Sequence, residues 1–181
     1  MPKIIRDSLY DVIKLSDLAI KIVDTPHFQR LRYIRQLGVC YFSFPSANHT
    51  RFEHSLGTYH LAGEFVDKLN ENSDSIVISD YQKELIKIAG LVHDLGHGAF
   101  SHVLDILLAH TKKSDNYAIS FNHEERSCVL FKHLVSTYDI PLSADDIRFI
   151  CNLIDPPSDC TGYLYQIIAN KESDIDFSKN E

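Results

Sequence analysis

The sequence predicts an all-α protein with at most a small β element near its N-terminus. Apolar residues recur at helical spacing along most of the chain, and residues that favour helix starts precede several of these stretches. Only residues 1–12 and 40–45 have the pattern of extended or loop segments. The length of 181 residues and the apolar share of 44% are sufficient for one hydrophobic core.

The helices are predicted one after another along the chain. Ser16 caps a short helix that ends at Asp24. Thr25 caps the next helix, which has Pro26 at its first position and ends at Gly38. Further helices are predicted over residues 51–69, 80–92, 99–110, 123–138, 144–154 and 163–170. The helix over residues 80–92 is apolar on nearly every side, which is typical of a buried helix.

Composition and charge exclude several classes of protein. The 25 acidic residues outnumber the 18 basic ones and give a net charge of −7, so nucleic acid is not expected as the main substrate. The sequence contains no apolar run of membrane-spanning length and no secretory signal. Four cysteines without CxxC spacing predict reduced, mostly buried thiols. Together these features predict an intracellular protein, in the cytoplasm or the nucleus.

A histidine and an aspartate end the apolar helix, at His93 and Asp94, and Gly96 and Gly98 follow. Such polar groups are costly to bury unless something binds them. Imidazole and carboxylate without thiolate suit a divalent ion: Mn, Fe, Zn, Ni or Mg. The alternative is a helix end at which both side chains only form hydrogen bonds with backbone groups. The His-Asp pair by itself does not favour either interpretation.

Other parts of the chain favour the metal interpretation. Arg51 and His54 lie one helical turn apart and therefore project from one face, an arrangement that suits a phosphate ester beside a metal ligand. His97 and His102 follow the His-Asp pair closely, and His123 opens a later helix. Several protonatable groups are thus expected near one ion.

These segments resemble the HD-domain phosphohydrolases, and specifically the sterile-alpha-motif/HD-domain dNTP triphosphohydrolases. The resemblance extends from Lys3 to Lys179 and implies a single HD domain over residues 1–181. It is carried by the following blocks: Asp24–Gly38, Phe44–Pro45, Arg51–Gly57, Ile88–His102 and His123–Glu124.

The resemblance implies a role for each matching residue. Three residues match the first three ligands of a divalent metal: His54, His93 and Asp94. His123 matches a catalytic histidine that Asp105 and Glu124 position, and His97 matches a group near the leaving oxygen of the α-phosphate. The remaining matches are phosphate contacts at Arg51, His102 and Lys179, and a pair that reads the sugar at Gln36 and Leu37.

The resemblance also implies regulation and assembly. Lys3, Asp24 and Arg32 match residues that bind an activating guanine nucleotide at a subunit interface in the animal enzymes. A nucleotide activator and a homo-oligomer are therefore implied. Without the resemblance, these three residues would be interpreted as surface charges, and Gln36 and Leu37 as the end of a helix.

The C-terminal end departs from the family pattern. Ser178 occupies the position of the fourth metal ligand, an aspartate in the family, and the base-binding residues that follow it there are missing. We therefore expect an HD domain that is truncated at its C-terminal end. The implied reaction converts a dNTP and water to a deoxynucleoside and triphosphate, in weakened form. The alternatives are a non-catalytic or degenerate HD module that retains metal or nucleotide binding, and an HD phosphomonoesterase that acts on nucleotides.

Overall fold

The computed structural model describes residues 3–73, 77–111, 122–160 and 162–169. It begins with an antiparallel hairpin of β1 (Lys3–Asp7) and β2 (Asp11–Leu15), in which Lys3 pairs with Leu15. The Asp7 carboxylate accepts hydrogen bonds from the backbone N–H groups of Leu9 and Tyr10 and so stabilises the turn. The small β element predicted near the N-terminus is therefore confirmed.

Helices are the main regular structure in the rest of the described chain. The α-helices are α1 (Asp17–Val23), α2 (Pro26–Gln29), α3 (Arg51–Asn72), α4 (Asp80–Val92), α5 (His102–Thr111), α6 (His123–Thr137) and α7 (Ala144–Ile154). Short 3₁₀ helices lie at Arg30–Tyr33, Cys40–Phe42 and Tyr163–Gln166. The all-α class is confirmed. In the described residues, no helix combines the length and the apolar character that a membrane span requires.

Local capping explains why the long helices begin where the sequence predicts. Thr50 accepts a hydrogen bond from the Glu53 N–H, and the Glu53 carboxylate accepts one from the Thr50 N–H. The same reciprocal pattern starts α4 at Ser79 and α7 at Ser143. As a result, α4 and α7 have the predicted bounds, and α3 extends three residues beyond the predicted residue 69, to Asn72.

Four predicted segments differ from the structure. The helix predicted to reach Gly38 ends early, because Ile34 is extended and Arg35 forms a β-bridge with Thr50. Residues 40–42, predicted as part of an extended or loop segment, form a 3₁₀ helix, and the segment predicted as a helix over residues 163–170 contains a 3₁₀ helix at Tyr163–Gln166. The helix predicted from residue 99 begins only at His102, because Phe100 and Ser101 are left-handed, with φ of 63° and 57°.

The core lies mainly between α3 and α4. Phe52, Leu56 and Tyr59 on α3 are buried. Ile86 and Ile88 on α4 are fully buried, as the apolar pattern of that helix predicts. Each such side chain stabilises the fold by about 1.5–3 kcal/mol. The buried apolar residues belong to a single cluster that α6 and α7 complete.

The four cysteines are unbridged, as predicted. Cys151 is buried, and Cys128 and Cys160 are partly buried. Cys40 is exposed, so the prediction of burial is wrong there. It lies in a 3₁₀ helix within the segment predicted as extended or loop, and no residue of that helix is buried.

Close packing of α6 against the turn after α4 requires a glycine at position 96. A Cβ atom there would lie 2.3 Å from the His123 carbonyl oxygen and 2.5 Å from the Ser127 backbone nitrogen. The Ser127 hydroxyl accepts a hydrogen bond from the Gly96 N–H and donates one to the His93 carbonyl oxygen. These contacts attach the start of α6 to the chain segment that carries His93.

We expect Gly96→Ala to lower the free energy of unfolding by about 1–3 kcal/mol, because the clash is with backbone atoms that cannot move independently. Urea unfolding followed by circular dichroism measures the change. Gly63→Ala is the matched control: its Cβ atom would meet only the flexible Lys87 side chain, and alanine favours the helix interior. A Gly96→Ala protein as stable as the Gly63→Ala control would contradict the proposed packing.

Candidate metal centre

Two helices bring the predicted metal ligands together. Arg51 and His54 lie in the first turns of α3, and His93 is the residue that caps the C-terminal end of α4. Because α3 and α4 pack side by side, the start of one meets the end of the other. His54, His93 and Asp94 are all buried at this junction.

The spacing between the two imidazoles and the Asp94 carboxylate suits a shared ion. His54 Nε2 lies 3.1 Å from His93 Nε2 and 3.5 Å from Asp94 Oδ2. His93 Nε2 lies 3.5 Å from Asp94 Oδ1. Atoms that each lie about 2.0–2.2 Å from one ion are themselves separated by about 3.0–3.5 Å. The donor set of two imidazoles and one carboxylate is appropriate for Mn, Fe, Zn, Ni or Mg.

The protonation of His93 also favours metal binding. Its Nδ1 atom lies 2.7 Å from the carbonyl oxygen of Gly90, which can only accept, so Nδ1 carries the proton. The Nε2 lone pair is thereby left for a ligand, and a backbone carbonyl orients the ring, as is usual in metal sites. Burial lowers the pKa of His93, which keeps the ring neutral near pH 7.

Asp94 lies at the middle of the site and is paired with a buried cation. The Arg51 guanidinium donates a hydrogen bond to Asp94 Oδ2, and both side chains are almost fully buried. Burial by itself raises the pKa of the Asp94 carboxyl, but His93, His97 and Arg51 outweigh it and bring the pKa well below its usual value. Asp94 is therefore an ionised carboxylate. The predicted phosphate contact, Arg51, also binds the Ser101 hydroxyl.

A second group of three histidines lies next to Asp94. His97 Nε2 is 3.3 Å from Asp94 Oδ1. The His97 ring lies 4.2 Å from the His123 ring and 4.8 Å from the His102 ring, measured between centroids. His97 is buried, neither of its ring nitrogens forms a regular hydrogen bond, and burial lowers its pKa to about 4. A buried neutral imidazole whose ring nitrogens lack a well-aligned hydrogen bond is a group prepared to contact a ligand.

The predicted proton-transfer residues lie within this group. His123 Nε2 is 3.3 Å from Glu124 Oε1, and His123 Nδ1 is 3.6 Å from Asp105 Oδ2. Arg126 forms an ion pair with Asp105 Oδ1 and donates a hydrogen bond to the Gly96 carbonyl oxygen. Partial burial raises the pKa of Asp105, but Arg126 outweighs it, and the pKa is below its usual value.

The sequence pattern did not single out Arg126 or Ser101. Arg126 lies one turn after His123, so its proximity could have been inferred from helical spacing. Ser101 is far in sequence from its partners Arg51 and Gln36, and only the tertiary structure brings the three together.

The predicted sugar-reading pair lies beside this site, on a turn. The Gln36 carbonyl oxygen accepts a hydrogen bond from the Ser101 hydroxyl at 3.0 Å, which ties Gln36 to the residues around Asp94. The Gln36 side-chain oxygen is buried and has no hydrogen-bond partner among the described residues. Leu37 is half exposed. The last predicted phosphate contact, Lys179, lies outside the described residues, as does Ser178.

The predicted activator residues form two separate sets of contacts. Lys3 and Asp24 form an ion pair that is half exposed to solvent. Arg32 instead donates to the Gln29 side-chain oxygen and stacks on the Phe52 ring, with 3.5 Å from guanidinium carbon to ring centroid. An exposed ion pair of this kind contributes about 0–1 kcal/mol to stability.

A cavity of about 240 Å³ borders His54. The hairpin turn at residues 7–10 lines one side, and His49 and Glu53 line the other. The cavity therefore lies between the hairpin turn and the start of α3.

Comparison with known proteins identifies the family. A family model of the HD domain matches residues 51–153, which contain all three candidate metal ligands. The chain belongs to the HD-domain family. The matched segment includes the adjacent histidine and aspartate, His93 and Asp94, at the junction between α3 and α4.

Longer relatives of this HD domain are similar over almost its whole length. The deoxynucleoside triphosphate triphosphohydrolase SAMHD1 is 37% identical in Bos taurus and 38% identical in Homo sapiens, over 98% of this chain in both. The putative HD domain-containing protein L394 of Acanthamoeba polyphaga mimivirus is 38% identical over 98% of this chain. The chain covers 34% and 32% of the two animal proteins and 41% of the viral one.

We expect the double change His93→Ala and Asp94→Asn to abolish retention of a divalent metal. Loss of a neighbour that merely orients a ligand costs about 10- to 100-fold in affinity, and loss of two ligands costs more. Elemental analysis of the purified protein after dialysis measures the bound metal per chain.

His133→Ala is the control for this change, because His133 is an exposed histidine on α6, outside the site. His54→Gln provides a second variant that keeps a polar group on α3, and circular dichroism verifies that each variant is folded. Unchanged metal content in folded His54→Gln and in the double variant would contradict the assignment.

Proposed function

We propose that this HD domain is a metal-dependent nucleotide phosphohydrolase that converts a dNTP and water to a deoxynucleoside and triphosphate. The observation that carries the proposal is the position of Asp94 between two groups of residues. Oδ2 lies near His54 on one side, and Oδ1 lies 3.3 Å from His97 on the other. Groups suited to binding a cation and groups suited to contacting a phosphate ester therefore share one carboxylate.

We propose His54, His93 and Asp94 as metal ligands. A bound divalent ion would supply Lewis-acid polarisation of a phosphate oxygen or activation of a water molecule. Three protein ligands are typical of catalytic sites, which keep further positions for water or substrate. The ligands are buried in the α3–α4 junction, so helix packing would determine the position of a bound ion. A phosphate that contacts this ion would therefore also have a defined position.

We propose His123 as the proton-transfer residue and His97 as a contact to the leaving oxygen of the α-phosphate. A histidine near two carboxylates has a restricted ring orientation. Asp105 is in turn held by Arg126, so the imidazole has a defined environment before substrate arrives. His102, which is largely exposed, would contact the more distant phosphates.

The choice of a dNTP as substrate rests on the animal relatives, whose name states that activity, and on Gln36 and Leu37. We propose that these two residues contact the sugar at a distance too short for a 2′-hydroxyl, with Lys179 as a further phosphate contact. The buried, unpartnered Gln36 side-chain oxygen supports a ligand at this place. We also propose that a guanine nucleotide binds at Lys3, Asp24 and Arg32 in a homo-oligomer, which requires the Lys3–Asp24 ion pair to open.

We expect His123→Ala to lower turnover about 10²- to 10⁴-fold while leaving the metal content unchanged, because proton transfer is lost and the ligands are not. Release of deoxynucleoside from dGTP measures the rate, and elemental analysis measures the metal. His133→Ala is again the control. An unchanged rate in an active His123→Ala protein would exclude His123 from the mechanism.

The product and the sugar preference test the proposed reaction. We expect triphosphate from dGTP in the presence of Mn²⁺, with GTP turned over more slowly. Release of orthophosphate from nucleoside monophosphates would instead indicate an HD phosphomonoesterase. Metal binding without turnover of either substrate would indicate a non-catalytic HD module. Ser178, at the position where the family pattern has an aspartate ligand, favours that alternative.

A further inference from the structure

Ser101 occupies an unusual position beside the candidate metal centre. It follows Phe100, and both residues have left-handed backbone conformations, with φ of 57° and 63°. Residues other than glycine rarely adopt this conformation, and a side chain kept there is a reason to look for a function. Ser101 is only 2% exposed, and its hydroxyl group points into the site rather than to solvent.

The hydrogen bonds of the Ser101 hydroxyl are complete and directional. The hydroxyl donates to the Gln36 carbonyl oxygen at 3.0 Å. With its single proton used there, the oxygen can only accept from other partners. It accepts from two nitrogens of Arg51: Nε at 3.0 Å, and Nη2.

This arrangement limits how Arg51 can bind Asp94. A guanidinium binds a carboxylate through two parallel N–H groups when it can, using either Nη1 with Nη2 or Nε with Nη2. Ser101 occupies the Nε–Nη2 edge of the guanidinium, and in the orientation that this contact imposes Nη1 is the nitrogen that contacts Asp94, at Oδ2. Asp94 Oδ1 consequently faces His93 and His97 without a guanidinium contact.

We propose that Ser101 is a positioning residue that keeps Arg51 from covering both oxygens of Asp94 and so preserves the carboxylate for a divalent cation. Arg51 supplies the charge that keeps Asp94 ionised, yet a two-point ion pair with the same carboxylate would compete with the metal. The Ser101 hydroxyl removes that competition. The left-handed backbone is the conformation that brings the hydroxyl to Arg51 and Gln36 together.

This inference rests on the proposed metal centre, and its test measures metal binding rather than turnover. Mn²⁺ is added to the metal-free 181-residue protein, and electron paramagnetic resonance measures the unbound Mn²⁺. Two variants lack the hydroxyl: Ser101→Ala keeps the strained backbone, and Ser101→Gly relieves it. We expect both to weaken Mn²⁺ binding by about 10- to 100-fold, the range for residues that orient a ligand.

A second substitution tests whether Ser101 acts through Arg51. Lysine keeps the positive charge but has no planar pair of N–H groups. In an Arg51→Lys background, Ser101→Ala should therefore change the Mn²⁺ affinity less than about twofold. A merely structural role of Ser101 would weaken binding to the same degree in both backgrounds.

Ser55→Ala is the matched control, because Ser55 is a buried serine next to His54 whose hydroxyl has no hydrogen-bond partner. Its Mn²⁺ affinity should equal that of the unmodified chain. If the unmodified chain binds Mn²⁺ and folded Ser101→Ala and Ser101→Gly bind it equally well, Ser101 has no positioning role and the metal centre stands. If the unmodified chain binds no Mn²⁺, both the metal centre and this inference are wrong.

Discussion

The ion pair between Arg51 and Asp94 joins the start of α3 to the end of α4 in the interior of the protein. A buried charge without a partner is strongly destabilising, and removal of one member of such a pair typically costs about 3–5 kcal/mol. Arg51 and Asp94 therefore require each other. The same contact brings His54, one turn after Arg51, next to His93, one residue before Asp94. The candidate metal centre is a consequence of how these two helix ends pair.

Close packing around the His-Asp turn adds the second group of histidines. Gly96 allows the backbone of α6 to approach, and Ser127 links that helix to the His93 carbonyl oxygen. His123 is thereby brought beside His97, and Arg126 holds the Asp105 carboxylate near the His123 ring. The metal ligands and the proposed proton-transfer residues are therefore parts of one packed unit.

The local features of the fold could be predicted from the sequence. The bounds of α4 and α7 follow from capping residues and apolar spacing that lie within a few positions of each other. The early end of the helix that starts at Pro26 could not be predicted, because Arg35 leaves it to pair with the distant Thr50. Apolar spacing within that segment also does not show which positions have a partner surface, and Tyr33 is 89% exposed.

For the site, the sequence by itself determined which groups are available: adjacent histidine and aspartate at the end of an apolar helix, a histidine and an arginine one turn apart, and further histidines nearby. The chemistry of these side chains is enough to indicate a divalent metal. Only the tertiary structure decided how the groups are connected, with Arg51 on Asp94 and Ser101 between Arg51 and Gln36. These partners are 43 to 65 residues apart along the chain. Residue spacing determines neighbours within one helix, whereas contacts between helices depend on which surfaces the whole core buries together.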